Sequence, residues 1–589
     1  MAIAPAPPAR YADPIASVPW MAQLSPEVRA WLSDQMHALA LPGGATLFAA
    51  GDAPDALYVL LSGCLGAFAP GNDARAIGQV VAGETVGETG LLTASPRSAT
   101  IRALRDCELL RLDRAAFDQL GVREPGALVA MARLALQRAT TPSYAQRASS
   151  GPRTIAVLPQ CDGLDVRGFA ESLGKALALY GSYVVIDAAT GAGRDAGWFS
   201  RLENANQFVI YVADDGGESD WRRLTLRQAD ALLFVAGAGD KPAPWSEFVR
   251  GISAPLPRPE HLAVLHTGKP RLGAARRWAR HRAQARVHHI RSMTDIPRLA
   301  RLVAGKSMSL VLSGGGARGF AHIGVIKALR EAGIEIDAVG GTSIGAIIGA
   351  GVAADWTTEE MTAAFHKAFV ATNPLSDYTF PFVSMVSGRK VSRLLREAFG
   401  EREIEDLVLP YFCVSSNLTD GRMAVHRTGP LWQWLRASVA IPGVLAPVFY
   451  RGQVYVDGGV INNLPVEIMR ESQRGEVIAV DIGGDHAVTA GPGVEEFDLP
   501  PLWRMVVQWY TGRRRPSILQ ILLRAGMVNS GATSFASRSA STLLIQPNLS
   551  GIDLLNWQAF DKAIEIGYQH TLRVLGAERE QLDEQAPLL

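Results

Sequence analysis

The sequence predicts a multidomain protein in which an antiparallel β-barrel or jelly roll precedes two α/β domains. At 589 residues the chain is too long for a single hydrophobic core. Short strands separated by glycine dominate its first part, and apolar strands alternate with helical stretches after residue 150. A repeated strand–turn–helix pattern then fills residues 309–354. We therefore expect a β domain at residues 21–145, an α/β linker domain at residues 150–305, and a second α/β domain from residue 306.

The overall composition excludes several classes of protein. The formal net charge is +1, so the global charge gives no indication of a nucleic acid partner. The four cysteines form no CxxC pair, which argues against a disulfide framework or a metal site and fits a reducing compartment. Residues 1–20 are rich in Ala and Pro and lack the pattern of a signal peptide, so we expect a disordered leader there. No segment is a convincing membrane span.

The N-terminal β domain is predicted from apolar runs at the spacing of a small antiparallel barrel or jelly roll. The expected strands are Thr46 to Phe48, Ala56 to Leu61, Gly63 to Phe68, Ala76 to Val81, Ala99 to Leu104 and Leu109 to Leu112.

A short helical pattern in this domain lies between an acidic and a basic residue, Glu88 and Arg97. A carboxylate can accept a hydrogen bond from a ribose hydroxyl, while a guanidinium and backbone amides can bind a cyclic phosphate. This segment resembles the phosphate-binding cassette of cyclic-nucleotide-binding domains. The resemblance implies Gly87, Glu88, Arg97 and Ser98 as nucleotide-binding residues, with cAMP or cGMP as a regulator. The alternative is a fold retained as an interaction module that binds no nucleotide.

The α/β linker domain is predicted from five apolar strands between residues 154 and 265, separated by helical stretches. It carries no GxxxxGK[ST] motif, so we assign it no nucleotide chemistry. Its last part, from Arg271 to Arg301, is strongly basic. Such a run predicts a solvated helix face, and the functional alternative is a patch that docks on anionic headgroups.

The third domain begins with two strands that each end in a glycine-rich turn. The second strand, Ile336 to Val339, runs into a Gly-x-Ser-x-Gly sequence before a helix of small residues. This is the nucleophile-elbow pattern, in which glycines permit a sharp turn that exposes a serine hydroxyl at a helix N-terminus. The elbow comprises Gly341, Thr342, Ser343, Ile344 and Gly345, with Ser343 as the candidate nucleophile.

The first turn allows two interpretations. Taken alone, it matches a GxGxxG dinucleotide-binding fingerprint, but no acidic ribose partner closes the next strand. We prefer an oxyanion hole, because a glycine-rich loop can aim backbone amides at a tetrahedral intermediate. The loop comprises Gly314, Gly315, Gly316, Ala317, Arg318 and Gly319.

A serine nucleophile needs a base, and Asp457 ends a short apolar strand ahead of the turn formed by Gly458 and Gly459. None of the eleven histidines has an obvious catalytic setting, and only His322 and His426 merit inspection. The simplest assembly is a dyad of Ser343 and Asp457, in which the carboxylate takes the serine proton directly.

These motifs together resemble the patatin-like phospholipases. The match continues through the segments Ala437 to Gly443 and Asp457 to Pro465. With the β domain and the linker, the chain resembles bacterial members of the neuropathy target esterase family. That resemblance implies a serine esterase that hydrolyses acyl esters of phospholipids or lysophospholipids, such as lysophosphatidylcholine, through an acyl-enzyme and without a required cofactor. It also implies a cytoplasmic protein held peripherally at the inner face of the membrane, since no N-terminal anchor is evident.

Two alternatives remain open at this point. A triacylglycerol lipase or an acyltransferase would use the same acyl-enzyme, and a cyclic-nucleotide-sensing regulatory protein could keep an inactive hydrolase as a scaffold. We expect the catalytic core at residues 306–480 and a helical extension at residues 481–589. The aromatic loop Asp377 to Val383 is a candidate lining of an acyl groove, and the segments Leu502 to Tyr510 and Ile518 to Val528 are candidates for a headgroup-level interface.

Overall fold

The protein is described by a computed structural model that divides into two compact units. The first unit contains residues 1–270 and 277–305, and the second contains residues 271–276 and 306–589. The structure describes residues 15, 18, 20–71, 76–140, 152–214, 219–242, 258–267, 270–281, 285–380, 382–472, 475–483, 500–501 and 536–585.

The first unit begins with a jelly roll of two four-stranded antiparallel sheets, which confirms the predicted fold of this region. The strand orders are β1-β8-β3-β6 and β2-β7-β4-β5. The strands are β1 (Met36–Leu41), β2 (Thr46–Phe48), β3 (Ala56–Ser62), β4 (Cys64–Phe68), β5 (Ala76–Val81), β6 (Thr85–Val86), β7 (Thr100–Ala103) and β8 (Cys107–Asp113). The helices are α1 (Pro26–Gln35), α2 (Glu88–Thr93), α3 (Arg114–Arg123) and α4 (Pro125–Thr140).

Strand β3 lies between two cores because both of its faces are covered. Leu57 and Val59 belong to a cluster that includes residues of α1, α3 and α4. Tyr58 and Leu60, which point to the opposite face of the strand, belong to a second cluster together with residues of the other sheet. The near-continuous apolar sequence of β3 follows from this double burial. Strands β1 and β6 were not predicted.

The rest of the first unit is an all-parallel sheet of six strands in the order β10-β11-β9-β12-β13-β14. The strands are β9 (Thr154–Pro159), β10 (Tyr183–Ile186), β11 (Phe208–Val212), β12 (Ala231–Gly237), β13 (Glu260–Leu265) and β14 (Arg286–Ile290). The accompanying helices are α5 (Val166–Leu177), α6 (Ala188–Gly191), α7 (Ala196–Ala205), α8 (Asp220–Gln228), α9 (Ala274–Ala279) and α10 (Ile296–Ala304).

The sequence predicts one solvated helix face for the basic run from Arg271 to Arg301, and this prediction is wrong. The run contains α9, the buried strand β14 and the start of α10. Strand β14 was missed because its sequence, RVHHI, places two histidines where a buried strand is ordinarily apolar. His288 and His289 are both buried, and they pack beside His261 of β13 and His266, which follows that strand.

The second unit is built on one mixed sheet of eight strands. Its order is β19-β20-β17-β16-β15-β21-β22, and β18 also pairs with β17. The strands are β15 (Ser307–Leu312), β16 (Ala338–Thr342), β17 (Tyr411–Asn417), β18 (Arg422–His426), β19 (Val448–Tyr450), β20 (Gln453–Asp457), β21 (Gly475–Val480) and β22 (Leu543–Ile545). The helices are α11 (Ala321–Glu331), α12 (Ile344–Ala353), α13 (Thr358–Phe365), α14 (Arg389–Phe399), α15 (Leu431–Ser438), α16 (Val466–Ser472) and α17 (Phe560–Gln585).

The sheet brings the two glycine turns to the same edge. Strands β15 and β16 are adjacent and parallel, so the turns that follow them both lie at the carboxyl edge of the sheet. Strand β20 runs antiparallel to β17, and their register pairs Asp457 with Ser415. The carboxylate therefore reaches the elbow from two strands away, although 114 residues separate it from Ser343.

Two expectations fall partly or wholly outside the described residues. The segments Leu502 to Tyr510 and Ile518 to Val528 lie outside them, as does most of the predicted leader at residues 1–20. Within the predicted extension at residues 481–589, the structure describes β22 and α17. Among the helices it describes, none combines the length and the apolar character needed to cross a bilayer.

Candidate active site

The elbow turn holds Ser343 in a strained conformation. Ser343 follows β16 and precedes α12, with a φ of 54°, a region that non-glycine residues rarely occupy. The turn requires glycine at Gly345, because a Cβ there would lie 2.4 Å from the carbonyl oxygen of Leu312. Gly341 and Thr342 form the end of β16, and the hydroxyl of Thr342 donates to the carbonyl of Asn462 at 3.1 Å.

The two candidate catalytic side chains are hydrogen-bonded to each other. Ser343 Oγ donates to Asp457 Oδ2 at 2.7 Å, and the amide of Gly459 donates to Asp457 Oδ1 at 2.8 Å. Asp457 is buried, and desolvation raises its pKa to about 6, although the two hydrogen bonds oppose this shift. A carboxylate with that pKa is charged at neutral pH and is basic enough to accept a proton.

The glycine loop leaves two backbone amides available. The amide of Gly314 donates to Asn463 Oδ1 at 3.2 Å, and that of Ala317 donates to a carbonyl at 2.8 Å. The amides of Gly315 and Gly316 donate to no other described residue, and both residues line the cavity that contains Ser343. These two N–H groups are therefore the donors that can reach an oxyanion.

The remaining loop residues support this arrangement. The guanidinium of Arg318 donates through Nε to the carbonyl of Ile552 at 2.7 Å, and this hydrogen bond anchors the glycine loop to the segment that contains Ile552. Gly319 packs against Ile344 so closely that a Cβ would lie 2.4 Å from its side chain. Gly458 is buried in the turn after Asp457.

Two supporting residues were not singled out from the sequence. Ser438 Oγ accepts a hydrogen bond from the amide of Ser343 at 2.9 Å and donates one to a carbonyl of β17 at 2.7 Å. Asn463 also donates through Nδ2 to the carbonyl of Gly314 at 3.2 Å, so its amide holds both backbone groups of that glycine. Both lie in segments quoted for the family resemblance, but sequence alone does not show which polar side chains turn toward the elbow.

The two inspected histidines do not contact the dyad. His322 is fully buried and donates through Nε2 to the carbonyl of Ser313 at 2.9 Å, and burial lowers its pKa to about 4. His426 lies 2.7 Å from Ser415 Oγ and stacks on Trp434, and its pKa is likewise lowered to about 4 by burial. Both imidazoles are structural, which leaves Asp457 as the base nearest to Ser343.

An apolar cavity of about 130 Å³ opens beside the dyad. Ser343, Asp457 and the amides of the glycine loop form its polar end. The rest of the wall comes mainly from apolar side chains: Ile344, Ile347, Phe365, Phe369, Leu375, Val391, Leu394, Leu395, Phe399, Val439, Ile441, Val444, Leu445 and Trp557. Such a cavity suits a hydrocarbon chain attached to a reacting polar group.

The predicted lining by the aromatic loop Asp377 to Val383 is wrong. None of the described residues of that loop, 377–380 and 382–383, belongs to the cavity wall, and Tyr378, Phe380 and Phe382 are exposed. Apolar residues of α14 take that place instead. Aromatic composition alone cannot distinguish a buried wall from an exposed surface.

Three of the four predicted nucleotide-binding residues, Gly87, Glu88 and Arg97, lie at the start of α2. The guanidinium of Arg97 is buried and donates to the carbonyl of Gly87 at 2.8 Å and to Asp55 at 3.1 Å. Glu88 is also buried, whereas Ser98 is exposed. Gly87 has a φ of 93°, so a side chain there would be strained as well as crowded by Arg97.

Within the described part of the chain, no three His, Cys, Asp or Glu side chains are grouped closely enough to hold a metal ion.

Three family models match consecutive parts of the chain. Residues 310–470 match the patatin-like phospholipase family, residues 39–124 match the cyclic nucleotide-binding domain, and residues 152–309 match the P-loop like domain of the neuropathy target esterase family.

Similar proteins occur in animals, fungi and bacteria. The patatin-like phospholipase domain-containing protein 6 of Pongo abelii is 30% identical, covering 94% of this chain and 46% of the relative. The lysophospholipase NTE1 of Candida albicans is 28% identical, covering 90% of this chain and 46% of the relative. The chain thus spans less than half the length of these two relatives. An uncharacterised NTE family protein of Mycobacterium bovis is 31% identical over 94% of both chains. On these matches, the chain belongs to the neuropathy target esterase family.

Proposed function

We propose that this protein is a serine esterase that hydrolyses acyl esters of phospholipids or lysophospholipids through a dyad of Ser343 and Asp457. The observation that carries the proposal is the 2.7 Å hydrogen bond from Ser343 Oγ to Asp457 Oδ2 at the polar end of an apolar cavity. A scaffold without activity would not need a strained serine, a buried carboxylate and two available amides in one place.

Acylation of Ser343 begins with transfer of its proton to Asp457. The serine oxygen attacks the ester carbonyl carbon, and the amides of Gly315 and Gly316 stabilise the negative charge that develops on the carbonyl oxygen. The tetrahedral intermediate then collapses, and the departing alkoxide takes the proton from Asp457. An alcohol leaves, and the acyl group stays on Ser343.

Deacylation repeats these steps with water. Asp457 accepts a proton from a water molecule that attacks the acyl-enzyme, and the same two amides stabilise the second intermediate. Its collapse returns the proton to Ser343 and releases a fatty acid. The oxyanion donors are each expected to contribute about 10²-fold or more in rate.

The cavity and the relatives support the proposed substrate class. A mainly apolar wall next to the nucleophile fits one acyl chain, and a relative from Candida albicans is named a lysophospholipase. We therefore infer that a lysophospholipid, such as lysophosphatidylcholine, is a substrate. A triacylglycerol lipase or an acyltransferase of the same fold is the runner-up.

The test is fatty-acid release from lysophosphatidylcholine micelles by the purified protein. Ser343→Ala should lose the release, whereas Ser392→Ala, which changes a serine on α14 away from the cavity wall, should keep it. Release only from triacylglycerol, or transfer of the acyl group to a second lysolipid, would favour the runner-up. No hydrolysis of any ester, including short soluble ones, would favour a regulatory protein with an inactive scaffold.

We further propose that a cyclic nucleotide binds at Gly87, Glu88, Arg97 and Ser98 and modulates the esterase. Calorimetric titration with cAMP and with cGMP tests binding, and the esterase assay with each nucleotide tests whether the nucleotide controls activity.

We also propose that the protein associates peripherally with the inner face of the membrane. The proposed domains are residues 21–145, 150–305, 306–480 and 481–589.

A further inference from the structure

A short hairpin beside the cavity presents aromatic side chains to solvent. We call residues 377–387 the aromatic hairpin. Its two arms are joined by hydrogen bonds from the amide of Thr379 to the carbonyl of Met385 at 2.9 Å and from the amide of Ser387 to the carbonyl of Asp377 at 3.0 Å. At its base, the carboxylate of Asp377 accepts from Ser387 Oγ at 2.6 Å and from the next helix. These hydrogen bonds fix the two arms and the base of the hairpin.

The tip of the aromatic hairpin is apolar and exposed. The exposed fractions are 79% for Tyr378, 72% for Phe380, 88% for Phe382 and 59% for Val383. The rings of Phe380 and Phe382 lie with their centroids 4.7 Å apart, so they form one apolar surface. Contiguous exposed aromatic residues on a soluble domain mark a surface that meets an apolar partner.

Segments next to this surface line the cavity. Leu375, just before the aromatic hairpin, lines the cavity. The amide of Val386 donates to the carbonyl of Val444 at 2.9 Å, and Val444 also lines the cavity. A few residues further on, Phe449 in β19 is 67% exposed. A partner that covers these aromatic residues therefore lies next to the acyl site.

The charge around the aromatic hairpin is positive. Residues 374–399 contain four basic residues, Arg389, Lys390, Arg393 and Arg396, against two acidic residues. Asp377 is bound at the hairpin base, and Glu397 pairs with Arg393 at 3.6 Å. Residues 441–453 contain Arg451 and no acidic residue. Arg389, Arg393 and Arg451 are exposed. An exposed apolar tip with a net positive charge in its neighbouring segments is complementary to an anionic lipid surface, whose interior accepts aromatic rings while its headgroups attract basic side chains.

We propose that the aromatic hairpin and Phe449 insert into the surface of anionic lipid and thereby place the cavity over its acyl substrate. This assignment names the lipid-contacting surface of the esterase proposed above and rests on that function for its purpose. Lipid binding itself needs neither Ser343 nor Asp457, so it can be measured separately from catalysis.

The test is sedimentation of the protein with vesicles of phosphatidylcholine mixed with phosphatidylglycerol, beside vesicles of phosphatidylcholine alone. The double variant Phe380→Ser/Phe382→Ser should bind the mixed vesicles about tenfold or more weakly, because two rings lose their apolar contact. Leu572→Ser is the matched control, since that leucine is 39% exposed on α17 in the same unit. Arg389→Glu/Arg451→Glu should lose the preference for the mixed vesicles.

The thermal unfolding midpoint should be the same in all variants, and wild-type and Ser343→Ala proteins should bind vesicles equally. Hydrolysis of a soluble short-chain ester should be unchanged in the Phe380→Ser/Phe382→Ser variant. Equal vesicle binding by that variant and the wild type would overturn the assignment, as would a wild type that binds no vesicles. A wild-type dimer that this variant dissociates would instead assign the surface to a second copy of the chain. Vesicle binding without hydrolysis of any ester would contradict the proposed function but not the lipid surface.

Discussion

Replacing Asp457 with asparagine should abolish ester hydrolysis and at the same time stabilise the second unit at neutral pH. Asparagine keeps the shape of the side chain and can still accept from Gly459, but it cannot take a proton from Ser343. It also removes a charge that burial disfavours. Activity and stability should therefore change in opposite directions at this one position.

The magnitude follows from the pKa of Asp457, which burial raises from an ordinary 3.8 to about 6. The folded state binds this proton more tightly than the unfolded state does. The contribution of Asp457 to the free energy of unfolding is therefore fully present below about pH 3.8 and is lost as the pH rises through 6. The difference corresponds to about 3 kcal/mol of destabilisation at neutral pH. Asp457→Asn should recover up to that amount, and the gain should vanish when the pH approaches 4.

Hydrogen exchange of the amides in β15 and β16 measures this stability within the second unit. Protection in Asp457→Asn should rise by up to about 100-fold at neutral pH. In the wild type, log kcat/KM should increase with pH up to about 6 and then level off, because the base must be ionised. Asp420→Asn, which changes an exposed carboxylate, is the control. Unchanged protection, or a rate that stays level down to pH 4, would refute the reasoning.

Three further predictions concern other parts of the structure. Asn463→Ala removes both side-chain hydrogen bonds to Gly314 and should lower kcat by about 10²-fold with KM little changed; an equal change in both constants would contradict its positioning role. Gly316→Ala places a Cβ 2.2 Å from a backbone carbonyl at a φ of 56° and should inactivate the enzyme by displacing the loop, whereas wild-type activity would show that the loop is not catalytic. Burial lowers the pKa of His261 to about 3 and holds that of His288 well below its usual range, so the unfolded chain binds more protons than the folded chain below pH 6.5. In urea unfolding, the free energy of unfolding of the first unit should fall by up to about 1.4 kcal/mol per histidine for each pH unit below 6.5. The double variant His261→Gln/His288→Gln should show a smaller pH dependence. A wild type without this pH dependence would refute the reasoning.

The parts of the fold that the sequence predicts well are those where local pattern and burial agree. Strands β15 and β16 end in glycine turns whose composition is dictated by close backbone approach, as at Gly345. Six of the eight jelly-roll strands and five of the six parallel strands are predicted because their apolar runs are short and separated by turn residues.

The features that escaped prediction depend on tertiary contacts. Strand β14 is concealed by two histidines that are buried beside His261 of β13 and His266, which follows that strand. Ser438 and Asn463 are ordinary polar residues until the fold brings their side chains to Ser343 and Gly314. The composition of the aromatic hairpin fits either the acyl groove or an exposed surface, and only the tertiary structure shows that its aromatic side chains are exposed and lie outside the cavity wall.

The central claim is that Asp457 activates Ser343 as a nucleophile, and covalent labelling with a fluorophosphonate tests it most directly. Intact mass spectrometry should show one adduct on the wild type, mapped to Ser343, no adduct on Ser343→Ala, and labelling of Asp457→Asn that is slower by about 10²-fold or more. Labelling of a different residue, or equal rates for the wild type and Asp457→Asn, would contradict the dyad.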